Sequence, residues 1–283
     1  MKNDKQMLIA IDLDDTILDD LFSLNARSVC ALIDAQEMGH IVMIATARSK
    51  HMAFPYYQIL GLQSPLSLLN GAVLYHPGNA AFPEYDQRIS AVAMAELSNC
   101  IERLHCTSAW IENNDEVFVA GRRAERHQYF REVFRHANVS ACSKLPAVAA
   151  ARVNVCVATE KDALELAERM KKYPDVQCRM FRTGSDPVRL NFCSVRADKW
   201  FTVQYTAAYY GIPEDRIIAF GDEENDRKML FQAGHGFVMC NGNKRMRADA
   251  RRSNIGITAL SCREGGVGYE LERLLDLKTR KDG

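Results

Sequence analysis

Short apolar runs that stop at a polar residue recur along the chain. Residues 7–11 (MLIAI) end at Asp12, residues 41–45 (IVMIA) at Thr46, and residues 217–220 (IIAF) at Gly221 and Asp222. Each run is apolar on both faces, as a strand inside a parallel sheet must be. Helical spacing lies between them. Residues 25–38 place Val29, Leu32, Ile33 and Met38 on one face, with Gly39 as a C-cap, and residues 198–210 start at Asp198 and stop at Gly211. The alternation predicts right-handed βαβ units and an α/β, doubly wound, mostly parallel sheet. Such sheets bind ligands beyond the carboxyl ends of their strands. Asp12, Thr46 and Asp222 all fall at that edge.

The middle of the chain reads differently. Residues 107–120 predict a hairpin turning at Asn113-Asn114-Asp115, residues 122–137 a helix, 152–158 a strand, 160–172 a helix, and 176–182 and 187–192 two more strands. These form an α+β module, residues 82–191, inserted into a core made of residues 1–81 and 192–283. The length, 283 residues, suits that division.

Composition narrows the function. The 36 Lys and Arg balance 36 Asp and Glu, with 47% hydrophobic residues. A nucleic-acid binder held by phosphate charge would carry a basic excess, and a disordered chain would be less apolar. The inserted module and the core are each nearly neutral, so no global field steers an anion. No run approaches the length of a membrane helix, and residues 1–15 lack a signal-peptide core. Nine scattered cysteines without a CxxC pair point to free thiols in a reducing cytoplasm. No GxxxxGK[ST] loop is present, and no cysteine has an arginine six residues on.

The acids are not evenly spread. Residues 12–20 (DLDDTILDD) hold five and residues 222–226 (DEEND) four more. Two solvated acidic turns are the plain reading of either segment alone. Neither meets the calcium-loop template, which needs Gly at Ile17 or Arg227 and Glu at Ser23 or Ala233. If both reach one sheet edge, their repulsion calls for a divalent cation, and all-oxygen ligands suit Mg²⁺. Asp12 and Asp14 lie on one side of an extended chain. One carboxylate could attack phosphorus while the other handles a proton. Lys199, near a helix start, could neutralise phosphoryl oxygens.

These residues together resemble the haloacid dehalogenase-like phosphatase superfamily, and within it the Cof-type branch with its large α/β cap. The motifs are Asp12-Leu13-Asp14-Asp15-Thr16 after a strand, Thr46 with Arg48 beyond it, and the Asn70-Gly71-Ala72 turn. Lys199 and Gly221-Asp222-Glu223-Glu224-Asn225-Asp226 follow in order, and GGVGYELERLL closes the chain. The resemblance implies a Rossmann-like core with a specificity cap. Asp12 would be nucleophile and metal ligand. Asp14 would be general acid/base, with its backbone carbonyl also on the metal, and Asp222 a metal ligand. Thr46, Lys199 and Asn225 would bind the phosphoryl group. Asp226 would orient Lys199 or a metal-bound water, and Arg48 would lie in the surrounding shell or touch substrate. The chain is thus expected to be a Mg²⁺-dependent phosphatase of a small phosphorylated metabolite, a sugar phosphate or similar monoester. A phosphotransferase or mutase, or a non-catalytic ligand binder, are the alternatives.

Two positions depart from the branch pattern. Asp15 stands where Gly is usual, and Trp200 follows the lysine where Gly is usual; Trp200 would pack in the core or narrow the substrate entrance. Arg122, Arg123, Arg126, Arg131 and Arg135 read as a solvated helix face, with Glu125 and Glu132 interleaved. Arg182 and Arg189, flanking residues 184–187, could reach an anionic tail. Residues 244–252 (KRMRADARR) read as an exposed helix. His105, His127 and His235 have no metal-ligand spacing. No motif names a substrate or an oligomeric state.

Overall fold

The computed structural model describes residues 6–19, 23–104, 106–114, 116–120, 138–181 and 188–277. It divides into two compact units. The first comprises Met1–Ala47, Pro55–Glu84 and Asp198–Gly283, and the second Arg48–Phe54 and Tyr85–Ala197.

In the first unit, β1 (Leu8–Ile11), β2 (Ile41–Ile44), β12 (Ile217–Gly221), β13 (His235–Val238) and β14 (Gly256–Ile257) form a sheet in the order β14-β13-β12-β1-β2. All its neighbours pair in parallel. Every residue of β1 and β12 is buried, which is why these runs carry no polar alternation. Strand order reverses at β1, so the β1–β12 crevice is the switch point where ligands bind. A short antiparallel pair, β3 (Leu66–Leu68) and β4 (Val73–Tyr75), continues beside β2 through the Ala45–Ser67 bridge; in the chain, helix α2 (Lys50–Ile59) precedes it and the two-residue β5 (Tyr85–Asp86) follows it.

Helix α1 (Ala26–Glu37) begins at Asn25, whose side chain accepts from the Ser28 N–H. Its buried face is Ser28, Ala31, Leu32 and Ala35. This corrects the sequence reading: Met38 lies past the helix at 52% exposure, one position before the left-handed Gly39. Helix α5 (Lys199–Tyr210) is capped by Asp198, which accepts from the Trp200 N–H at 2.9 Å, and ends at the left-handed Gly211. Trp200 is buried in its first turn, the core alternative of the two foreseen. Helix α6 (Arg227–Gln232) is short, helix α7 (Lys244–Arg252) buries Met246 and Ala250 while Lys244, Arg245, Arg251 and Arg252 are exposed, and α8 (Gly266–Leu275) packs on α1 through the Arg27–Glu272 ion pair at 2.6 Å.

The second unit is a six-stranded sheet among the described residues. Its strands are β6 (Ser108–Glu112), β7 (Glu116–Ala120), β8 (Asn138–Cys142), β9 (Arg152–Val157), β10 (Val176–Phe181) and β11 (Val188–Ser194), in the order β10-β11-β9-β6-β7-β8. All pairs are antiparallel except β7–β8. Helices α3 (Ala91–Arg103) and α4 (Glu160–Met170) cover one face with Met94, Leu97, Leu166 and Met170 against Ile111, Val153, Val155 and Phe192. The other face carries a buried polar row. Trp110, Asn154 and Asn191 lie in register across three strands, with Glu112 and Arg152 beside them. The Glu112 carboxylate accepts from Arg152 Nη2 at 2.7 Å, Asn154 Nδ2 at 2.7 Å and Trp110 Nε1 at 3.0 Å.

The arginine-rich helix expected over 122–137 (Arg122, Arg123, Arg126, Arg131, Arg135), with Arg182, His105 and His127, lies outside the described residues. None of the nine cysteines forms a disulfide. Among the described residues no helix is long and apolar enough to cross a membrane.

Candidate active site

Asp12 follows β1 directly, and its backbone N–H donates to the Phe220 carbonyl of β12 at 3.0 Å. That bond carries the parallel ladder one residue beyond the apolar run and sets Asp12 at the switch point. Asp222 follows β12 directly. Asp12, Asp222 and Asp226 are all buried, and one carboxylate oxygen of each lies within 4.8 Å of the others. Two segments more than two hundred residues apart thus deliver their acids to one point, as the sheet topology requires.

Lys199 is the first residue of α5 and is 1% exposed. Its Nζ donates to Asp226 Oδ1 at 2.6 Å and forms an ion pair with Asp12 Oδ1 at 2.9 Å. Asp226 Oδ2 accepts from the backbone N–H groups of Asp222 and Glu223, both at 3.1 Å. Asp226 therefore spends both oxygens on positioning. Its carboxylate fits only because residue 221 is glycine, since a Cβ there would sit 2.6 Å from its Cγ.

The electrostatics follow from burial. Burial pushes the Asp12 carboxyl up to about 7, with Lys199 opposing and Asp226 and Asp14 adding to the rise. Burial likewise raises Asp222 to about 9, reinforced by Asp12 and Asp226. Burial alone would lower Lys199, but Asp12 and Asp226 outweigh it and hold the ammonium above its ordinary value. With all three acids ionised, three carboxylates against one ammonium would leave two negative charges uncompensated, which is what the raised values of Asp12 and Asp222 reflect. The set suits a hard divalent cation in donor type and charge. The Asp12 carboxylate, buried beside the Lys199 ammonium, keeps oxygen lone pairs that such a cation could take.

The remaining residues named from the sequence are placed as follows. Asp14 is half-buried beyond Asp12 and near enough to raise it, but its carboxylate is not one of the three that converge. Thr46 is fully buried after β2; its N–H donates to Ser67 O and its carbonyl accepts from the Asn70 N–H, both at 3.0 Å. Asn225 Nδ2 donates to Asn70 Oδ1 at 2.9 Å. Arg48 is buried and belongs to the second compact unit. Arg189 stacks over the Phe181 ring at 5.0 Å, and His235 is exposed at the start of β13. Asp15 has φ +52°, the left-handed region where glycine is favoured, and its carbonyl accepts from Asn241 Nδ2 at 2.7 Å. The sequence reading missed Asn241 and the Asn70 side chain as partners. Only the doublet Asn70-Gly71, a turn signal, pointed to the second.

A switch-point acid cluster closed by a buried lysine, in a parallel α/β core, is a constellation able to hold a cation and an anionic group beyond the strand ends. The family model for haloacid dehalogenase-like hydrolases matches residues 9–271, and the chain belongs to that family. The chain is 27% identical to the 5-amino-6-(5-phospho-D-ribitylamino)uracil phosphatase YitU of Bacillus subtilis (strain 168), over 96% of this chain and 99% of that one. It is 28% identical to the pyridoxal phosphate phosphatase YbhA of Escherichia coli (strain K12), over 88% and 92%. A crystal structure of a haloacid dehalogenase-like hydrolase from Bacteroides thetaiotaomicron superposes with a TM-score of 0.78 at 19% identity, covering 95% of this chain and all of that one.

Proposed function

We propose that the chain is a Mg²⁺-dependent phosphatase that hydrolyses a small phosphorylated metabolite through an aspartyl-phosphate at Asp12. The observation that carries this reading is the buried Asp12–Lys199–Asp226 bridge beside Asp222 at the switch point. Asp12 attacks phosphorus, so a P–O bond to its carboxylate forms as the P–O bond to the leaving group breaks. Asp14 gives its proton to the leaving oxygen. It then takes one from a water that attacks the aspartyl-phosphate, and inorganic phosphate leaves with Asp12 regenerated. Thr46, Lys199 and Asn225 bind the phosphoryl oxygens, and Asp226 keeps Lys199 aimed and protonated. Asp12, Asp222 and the Asp14 backbone carbonyl would hold Mg²⁺, which would supply charge neutralisation on the phosphoryl group.

The second unit acts in this reading as the cap that selects the leaving group, and Arg48 touches substrate or lies in the surrounding shell. The unpaired cysteines support a reducing, cytoplasmic setting. The relatives named for a ribitylaminouracil phosphate and for pyridoxal phosphate put those compounds beside sugar phosphates in the first substrate panel.

The test is hydrolysis of a generic aryl phosphate. Asp12→Asn is expected to lose at least about 10³-fold in kcat, and chelation of Mg²⁺ to abolish turnover reversibly. Activity surviving in Asp12→Asn would remove the nucleophile from the mechanism.

A further inference from the structure

Leu69, Asn70 and Gly71 all have positive φ, at 55°, 61° and 83°. Left-handed backbone is unfavourable for residues with a Cβ, and a leucine there is an outlier. Such strain persists where the surroundings over-determine it, and it clusters at functional sites. Here the surroundings are three segments of the candidate site. The Asn70 N–H donates to the Thr46 carbonyl at 3.0 Å. Asn70 Oδ1 accepts from Asn225 Nδ2 at 2.9 Å. Gly71 lies against the peptide that opens the Lys199 helix: a Cβ on it would stand 2.3 Å from Asp198 O and 2.9 Å from Lys199 N.

One turn therefore touches the segments carrying Thr46, Lys199 and Asn225, which converge from distant parts of the chain. We propose that Asn70 is a positioning residue that holds the Asn225 amide in its working orientation. The left-handed turn 69–71 is the brace that keeps Thr46 and Lys199 in register with it. A turn serving only to reverse the chain needs no side-chain bond at its second residue. Asn70 combines tolerance of φ near 60° with an acceptor at the required reach, and glycine at the same position would offer only the first. What the Asn225 amide meets, a phosphoryl oxygen, rests on the phosphatase reading; the bond that orients it does not.

Asn70→Gly separates the two roles, because glycine keeps the left-handed backbone and removes only the side chain. The variant is expected to melt close to the wild type. Its kcat/KM for an aryl phosphate should fall about 10-fold, the loss of one hydrogen bond at a charged site. The inhibition constant of inorganic phosphate should rise by a similar factor. In the Asn225→Ala background the same change should cost less than about 2-fold, since the partner is already gone. The Asn225 side-chain amide resonance, assigned by its absence in Asn225→Ala, should shift in Asn70→Gly whether or not the protein turns over. Losses that multiply in the double variant, or an unmoved amide resonance, overturn the proposal. A wild type that neither hydrolyses phosphomonoesters nor binds phosphate sinks the phosphatase reading, while the resonance still decides the positioning bond.

Discussion

Lys199 occupies a place where burial alone would weaken its hold on its proton, and two carboxylates reverse that effect. The same burial works against Asp12 and Asp222, whose carboxyls rise together because each lies near other acids. Asp15 adds to this repulsion from a backbone position suited to glycine. Its left-handed conformation costs about 1 kcal/mol, which glycine would recover while losing a similar amount in unfolded-chain entropy. Asp15→Gly is therefore expected to change stability by no more than about 1 kcal/mol and to leave phosphatase turnover within a few-fold. A melt showing a loss above about 3 kcal/mol would mean the side chain has a structural partner of its own. At this scale Asp12, Asp222 and Lys199 were legible because each sits at the end or start of a regular element. Asn70's bond to Asn225 was not, because hydrogen-bond partners separated by 155 positions leave no local pattern.

The elements differ in what they reveal. The parallel strands announced themselves as unbroken apolar runs, since both faces of β1 and β12 are covered. Strands β6, β9 and β11 of the second unit carry Trp110, Glu112, Arg152, Asn154 and Asn191 on one face, and those residues are buried. Glu112 is 0% exposed and gives its carboxylate to Arg152, Asn154 and Trp110. A buried pair of this kind is costly to break on one side and cheap to replace whole. Glu112→Ala is expected to destabilise the protein by about 3–5 kcal/mol in denaturant unfolding. Glu112→Leu with Arg152→Met should cost far less. A double variant as damaged as the single one would show that the row does more than satisfy itself. The sequence reading marked 152–158 and 187–192 as strands, but nothing local to them shows that their polar residues meet one another in the interior.

At the scale of the whole molecule, formal neutrality hides a local excess of negative charge. Without metal, the folded state keeps protons on Asp12 and Asp222 up to about 7 and about 9, whereas the unfolded chain releases them near 3.8. The folded state thus binds more protons across that window. Stability from these groups is full below about pH 4 and falls as pH rises through the raised values. A divalent cation competes with those protons, so its benefit grows as they leave. The rise in melting temperature on adding Mg²⁺ is expected to be larger at about pH 8 than at about pH 6. An equal or smaller rise at the higher pH would place the metal elsewhere.

By itself the sequence determined that a parallel α/β core exists and that acids, a threonine and a lysine stand at strand and helix ends. Those features are written in periodicity and in residue type at element boundaries, which are local properties. Only the tertiary structure decided that Asp226 braces Lys199, that Gly221 makes room for it, and that a strained turn at Asn70 links three segments. These depend on which residues meet across the fold. Burial and distance set their energies, and neither is a property of any stretch of chain read alone.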